Sequence, residues 1–121
     1  MGERRIERVG HRVQAELGRL LIEEARDERL RGVTITGVRM TADLRIARVY
    51  VRTLAPVNEH AAVMAALERA KPFLRREVGH ALGLRASPEL RFAYDELPDT
   101  ADRLEALLEG RRKPEDEGDE G

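Results

Sequence analysis

The sequence predicts an α+β domain in which a three-stranded sheet packs its helices on one face. Apolar residues recur at helical spacing in the first 26 residues, and two β-branched segments with alternating polarity follow between residues 33 and 53. A further helical region then leads to a third short strand. With 121 residues the chain fits one domain, and this element order is most simply satisfied by one sheet covered on one side.

The first helix is predicted over residues 4–26. Its apolar positions repeat at steps of three and four, which places them in one stripe along the helix. The stripe consists of Ile6, Val9, Val13, Leu17, Leu20 and Leu21.

Two strands, 33–40 and 45–53, are predicted to pair as an antiparallel hairpin. Gly37 interrupts the first strand and indicates a β-bulge. Asp43 lies in the connecting turn, where its side chain is suited to bonding nearby backbone N–H groups. In the second strand Ala47, Val49 and Val51 face one way, and the intervening residues face the other.

The helical region after the hairpin is predicted to be divided in two. One helix begins near Asn58 and ends near Ala70, and a second begins at Pro72 and ends before Gly83. Proline lacks a backbone N–H and disfavours helical geometry in the preceding residue, here Lys71. We therefore expect an angle between the two helices at residues 70–72.

The third strand is predicted over residues 89–95, followed by a short C-terminal helix. That helix contains Leu104, Leu107 and Leu108. Residues 110–121 contain no apolar residue beyond proline and glycine, so they are expected to form a disordered acidic tail. The predicted domain is therefore 1–109, with a tail at 110–121.

Charge is distributed unevenly along the chain although the net charge is −1. Residues 1–94 contain 18 Arg and Lys against 12 Asp and Glu, whereas residues 95–121 contain 4 against 11. Arginine accounts for 20 of the 22 cations, and its planar guanidinium suits phosphate groups. A basic body followed by an acidic tail is typical of a reversible nucleic-acid binder.

Sequence features of an enzyme are lacking. There is no cysteine, the three histidines lie on separate predicted helices, and the one serine precedes a proline. No phosphate-binding loop or nucleophile motif is present. We therefore expect no catalysis, no cofactor and no metal site. The lack of cysteine, of an apolar leader and of a long apolar segment favours a cytoplasmic protein that does not enter membranes.

The α-β-β-α-α-β order is that of the type II KH domain, in which a GxxG loop between two helices approaches nucleic-acid phosphates. The corresponding junction here is Arg69-Ala70-Lys71-Pro72, which has cations in place of the glycines. More specifically, the chain resembles ribosome-binding factor A over residues 4–108. The resemblance lies in the segments VTITGVRMTADL at 33–44, ARVYV at 47–51, FLR at 73–75, LRASPELRF at 84–92, and Asp95.

The resemblance implies a KH-like fold with a helix-kink-helix motif at Ala70, Lys71 and Pro72, where proline replaces the family's glycine. It also implies a non-catalytic, monomeric factor that binds 16S rRNA and the immature 30S subunit, supports late processing of the rRNA 5′ end, and matters most in the cold. An adaptor that binds another protein and touches little RNA is the alternative. The candidate RNA-binding residues are Arg45, Arg48, Arg69, Lys71, Arg75, Arg76 and Arg85. Of these, Lys71, Arg75 and Arg76 are expected to be mostly exposed, because Leu74 and Val78 take the buried stripe of their helix.

Overall fold

The computed structural model describes residues 2–97 and contains two helices and three strands in the expected order. They are α1 (Glu3–Glu23), β1 (Val33–Met40), β2 (Ile46–Thr53), α2 (His60–Leu82) and β3 (Glu89–Tyr94). The predicted C-terminal helix and acidic tail lie outside the described residues. Neither described helix is long and apolar enough to cross a membrane.

The sheet is mixed, with strand order β1-β2-β3. β1 and β2 form the predicted antiparallel hairpin, and β3 runs parallel to β2 on its other side. The register shifts between Ile35 and Gly37, which confirms the bulge and leaves Thr36 as the extra residue. This shift places Arg39 opposite Arg48, on the face that the helices do not cover.

Both helices pack on one face of the sheet, where the hydrophobic core lies. The alternation predicted for β2 is confirmed, because Ala47, Val49 and Val51 are fully buried. Helix α1 approaches β1 closely at Gly10, where an added Cβ would lie 3.1 Å from the Val38 carbonyl oxygen. The helices contribute Val9, Val13, Leu17, Leu20, Leu21, Ala66, Leu67, Leu74 and Val78 to the same core.

The predicted division of the second helical region is wrong, because α2 continues through Pro72 as one element. The proline ring cannot donate a backbone hydrogen bond to Glu68, but both residues are exposed, so water can satisfy the Glu68 carbonyl. On the opposite side, Leu67 and Leu74 are seven residues apart and both buried. Their shared core contact ties the two halves into one helix.

The ends of the helices also differ from the prediction. Helix α1 ends at Glu23, three residues early, and a 3-10 turn at Glu28–Leu30 follows. Helix α2 begins at His60, two residues after Asn58, because a second 3-10 turn, Val57–Glu59, comes first. Its C-terminal end is as predicted: Gly83 adopts φ 63°, a conformation that glycine tolerates best, and its N–H bonds the last turn.

Candidate nucleic-acid interface

The seven candidate cations lie on different sides of the sheet. Arg69, Lys71, Arg75 and Arg76 belong to α2, so these four lie on the helix-covered side, and Arg85 lies in the connection from α2 to β3. Arg48 faces away from the helices, since its strand neighbour Val49 is buried beneath them. Arg45 precedes β2 in the hairpin turn.

Lys71 is not the exposed cation that the sequence suggested, because only 25% of its side chain is accessible. Its Nζ lies 2.7 Å from Glu68 Oε1 and 5.7 Å from the centre of the Phe92 ring. The aliphatic part of the lysine therefore packs where α2 meets β3.

Arg75 is likewise half-buried, contrary to the expected exposure, and it has a structural role. Its Nε donates to the Pro88 carbonyl at 3.1 Å and its Nη2 donates to the Ser87 carbonyl at 3.2 Å. These two carbonyls immediately precede β3, so the guanidinium fixes the entry of that strand against α2. Sequence reasoning missed this role because nothing local indicates that α2 faces residues 87 and 88.

Among the candidates on and just after α2, the exposed ones are Arg69, Arg76 and Arg85, which we call the helix cations. Arg69 Nη2 lies 3.3 Å from Asp27 Oδ2, and Arg76 Nε lies 3.7 Å from Glu77 Oε2. Both arginine side chains remain more than 60% accessible, so these ion pairs contribute little to stability.

The hairpin turn is organised by Asp43, as expected. Its Oδ1 accepts from the Thr41 hydroxyl at 2.7 Å and from the Arg45 N–H at 3.0 Å. The hydroxyl bond is the main cause that holds the pKa of Asp43 below its usual value. Leu44 has a positive φ of 62°, an uncommon conformation that this closed turn maintains. Arg45 therefore lies exposed on a well-defined turn.

The uncovered face of the sheet has a row of three arginines that sequence reasoning only partly identified. Arg39, Arg48 and Arg91 occupy matching register positions on β1, β2 and β3, and we call them the sheet arginines. Only Arg48 was a candidate from the sequence. Alternation alone could have placed Arg39 and Arg91 on polar faces, but their alignment depends on the bulge and on the β2–β3 register.

A carboxylate lies beside one end of this row of arginines. Glu89 shares the uncovered face with Arg91, and the Arg91 Nε lies 2.9 Å from Glu89 Oε2. That contact is the main cause of the lowered pKa of Glu89. Glu89 therefore pairs with Arg91, which is not one of the seven candidate cations.

A shallow cavity of about 390 Å³ lies between the end of α1 and the middle of α2. Its walls combine apolar groups with charged side chains at the rim, among them Arg26 and Arg69. The apolar lining is formed by Ala25, Leu30, Ala66, Ala70, Phe73 and Leu74. Ala70 of the expected kink motif and the nearby Phe73 are therefore accessible from this cavity.

Across residues 2–97, no three His, Asp or Glu side chains are grouped in a way that could hold a metal ion. The strand register does bring three guanidinium groups together on one surface. Such an arrangement can bind anions, and phosphate is the anion that arginine recognises through paired hydrogen bonds.

Comparison with solved structures identifies the fold. The chain resembles the crystal structure of ribosome-binding factor A from Thermus thermophilus, with a TM-score of 0.58, 24% identity, and coverage of 78% of this chain and 97% of that protein. The solution structure of a putative ribosome binding factor A from Thermotoga maritima matches with a TM-score of 0.58, 28% identity, and coverage of 80% and 89%. The fold is thus α+β and KH-like.

Sequence comparison gives the same family. Ribosome-binding factor A of Desulfatibacillum aliphaticivorans is 42% identical over 104 residues, covering 86% of this chain and 85% of that protein. The protein of the same name from Roseiflexus castenholzii is 43% identical over 106 residues, covering 87% and 82%. The family model for ribosome-binding factor A matches residues 5–108. The chain therefore belongs to the ribosome-binding factor A family.

Proposed function

We propose that this protein binds the small ribosomal subunit during its assembly and contacts the 16S rRNA through phosphate groups. Family membership over residues 5–108 supports this function. A homology model of the Thermus thermophilus relative, fitted into a cryo-EM map of a 30S complex, matches this chain with a TM-score of 0.52 and 29% identity, covering 68% of this chain and 90% of that protein. In this proposal the protein is a monomer without catalytic activity, and it supports late maturation of the rRNA 5′ end.

The observation that carries the RNA contact is the division of labour among the α2 cations. Lys71 and Arg75 are committed to packing against β3, whereas Arg69 and Arg76 extend into solvent. Arg69 and Arg76 are seven residues apart, which places them on one face of the helix, about 10 Å apart along its axis. Two guanidinium groups at this separation can bind phosphates of one RNA backbone.

Arg85 and Arg45 extend the proposed contact surface. Arg85 follows the end of α2, and Arg45 lies exposed on the hairpin turn. The Arg45 carbonyl accepts a hydrogen bond from the Glu89 N–H at 2.8 Å, which links the hairpin turn to the start of β3. The hairpin turn and the α2–β3 connection are therefore held near each other in the fold.

The test is co-sedimentation with immature and mature small subunits over a salt series. We expect preferential binding to immature subunits and a steep loss of affinity as salt rises, because phosphate contacts release counterions. The triple variant R69A/R76A/R85A should flatten the slope of log K against log salt by roughly 0.7 to 0.9 per lost contact. The triple variant E7Q/E23Q/E28Q, on exposed acidic positions, is a control for general changes in surface charge.

The alternative function, an adaptor that binds another protein, is based on the cavity between α1 and α2, whose lining is mainly apolar. An apolar side chain of a partner protein would fit such a site better than a phosphate. Two results together would identify the protein as an adaptor. The affinity for the subunit would depend only weakly on salt, with or without R69A/R76A/R85A, and A70E, at the cavity wall, would abolish binding.

A further inference from the structure

The uncovered face of the sheet combines a cationic row with apolar side chains. The three sheet arginines lie directly opposite one another on neighbouring strands. Like charges directly opposite one another are unfavourable in a sheet, so this row attracts anionic groups, as the Glu89–Arg91 pair at its edge illustrates. Between and beside these arginines, the same face presents Ile46 and Tyr50, both only half-buried, and the exposed Ala93.

The last described residues leave the sheet at the end of this face. Asp95 is 8% exposed, and its Oδ2 accepts from the hydroxyl of Thr36, the bulge residue, at 2.7 Å. Arg52 Nη1 donates to the Asp95 carbonyl at 3.0 Å and to the Leu97 carbonyl at 2.6 Å. By strand alternation Arg52 and Thr36 lie opposite the buried Val51 and Ile35. The chain is therefore held where the next residues can reach the uncovered face.

The sequence that follows is complementary to this surface in both charge and polarity. Residues 98–109 read PDTADRLEALLE, with four carboxylates, one arginine and three leucines. As a helix, the segment would present Leu104, Leu107 and Leu108 as one stripe with the acidic residues beside it.

We propose that residues 98–109 dock on the uncovered face of the sheet, with their leucines against Ile46 and Tyr50 and their carboxylates facing the sheet arginines. The docked segment shields this cationic face from RNA. On release, the face becomes a second phosphate-binding surface. The docking itself is independent of the proposed function, whereas the competition with RNA rests on it.

Docking can be measured in the full chain because the sequence contains no cysteine. A nitroxide attached to A106C provides a single paramagnetic label for NMR. We expect the amides of Arg39, Arg48 and Arg91 to be broadened more strongly than those of Glu7, His11 and Arg69. Equal broadening, or stronger broadening on the helices, would overturn the proposal. So would the same broadening in a mixture of spin-labelled and separate isotope-labelled chains, since the contact would then join two copies.

A pair of matched variants tests the charge complementarity. The variant D99N/D102N/E105Q removes three carboxylates from the docking segment, and E115Q/D116N/E117Q removes three from the distal tail. In the A106C background, the first should weaken the broadening at the sheet arginines and the second should preserve it. An identical response of both variants would contradict recognition of the segment by the sheet arginines.

Competition with RNA is tested by titrating a single-stranded fragment of small-subunit rRNA into the labelled chain. RNA should relieve the broadening, and D99N/D102N/E105Q should bind roughly three- to tenfold more tightly than the distal control at low salt. RNA that binds without relieving the broadening would overturn the competition and leave the function standing. A lack of RNA binding while the broadening persists would reject the RNA function and retain the docking.

Discussion

The two cationic regions of this protein are built differently. On the helix side, cations with structural contacts and cations in solvent lie next to each other in α2: Arg75 donates to the Ser87 and Pro88 carbonyls while Arg76 remains exposed. On the sheet side, Arg39, Arg48 and Arg91 come from three strands and are aligned by register. One surface is continuous in sequence, and the other exists only in the folded protein.

This difference shows that the number of arginines is a poor guide to a binding surface. In α2, residues one apart have opposite roles because successive side chains are rotated by about 100° around the helix. In the sheet, residues that are 9 and 43 positions apart share a role because hydrogen-bonded strands place them side by side. Variants of the residues that hold each region in place test this contrast.

Asp95→Ala should have the largest effect and should disrupt the sheet side. Removing the carboxylate takes away the side-chain acceptor of the Leu97 N–H and leaves the Thr36 hydroxyl only the Tyr50 carbonyl, at a cost of about 2–3 kcal/mol in unfolding free energy. Urea denaturation measures the loss. Glu96→Ala, at the exposed neighbour, should stay within about 0.5 kcal/mol of the parent. Equal stability of the two variants would show that Asp95 does not anchor the end of β3.

Pro72→Ala should stabilise the helix side. Proline inside a helix costs ~3 kcal/mol, of which up to ~1 is offset by the restricted unfolded chain, so we expect a gain of about 2 kcal/mol. Pro56→Ala, at an exposed proline outside the helices, should give no such gain. If Pro72→Ala also weakens subunit binding, the proline serves function at the expense of stability. Parent-like stability would mean that the surrounding turn already compensates for it.

Arg75→Ala and Arg76→Ala should separate structure from binding within one helix. We expect Arg75→Ala to lose about 1–2 kcal/mol, because two carbonyls before β3 lose their donors. Arg76→Ala should change stability by less than about 0.5 kcal/mol but weaken RNA binding. The measurements are thermal unfolding and the salt titration on the same samples. The reverse pattern would show that the assigned roles are exchanged.

Acid should modestly lower the free energy of unfolding through carboxylates in both regions. The pKa values of Asp27 on the helix side and of Asp43 and Glu89 on the sheet side are lowered in the folded state, with the Arg29 N–H, the Thr41 hydroxyl and Arg91 as the leading causes. A lowered folded-state pKa stabilises above the ordinary value, 3.8 for aspartate and 4.5 for glutamate, and this contribution is lost as pH falls through the folded value. Urea midpoints should therefore decrease below about pH 4.5.

Within this acid response, Asp43→Asn provides the control on the sheet side. Because the variant lacks the carboxylate, it should be less stable than the parent at neutral pH. Because the amide does not titrate, the variant should lose less stability than the parent on acidification. A parent-like pH dependence in Asp43→Asn would assign the acid sensitivity to other carboxylates.

The smallest effect should come from removing residues 110–121. We propose that the domain ends near residue 109, since the remaining residues contain no apolar side chain beyond proline and glycine. The melting temperature should be unchanged. A clear decrease would place part of the domain in this tail.

Much of the architecture could be predicted from local patterns. The hairpin, the bulge at Gly37 and the buried side of β2 are confirmed, because period-two alternation and a glycine within a strand have direct conformational consequences. The interruption at Pro72 was wrong for a physical reason. Local preference disfavours helix there, but burial of Leu67 and Leu74 against the same core outweighs it.

The candidate site was less predictable than the fold. Exposure of Arg76 agrees with the sequence interpretation, whereas Lys71 and Arg75 are partly buried by contacts with residues near β3. These contacts join positions 12 to 21 residues apart and leave no periodic trace in the sequence. A cation with a long side chain can reach either solvent or a carbonyl, and only packing decides between them.

By itself, the sequence determined the order of helices and strands, the buried faces of α1 and β2, and the separation of a basic body from an acidic end. These properties follow from residue spacing and composition, which act locally along the chain. Only the tertiary structure decided that α2 remains whole, that Arg75 fastens β3, and that Arg39, Arg48 and Arg91 form one row. Those outcomes depend on strand register and on packing between distant segments, where burial and cross-strand geometry override the preferences of single residues.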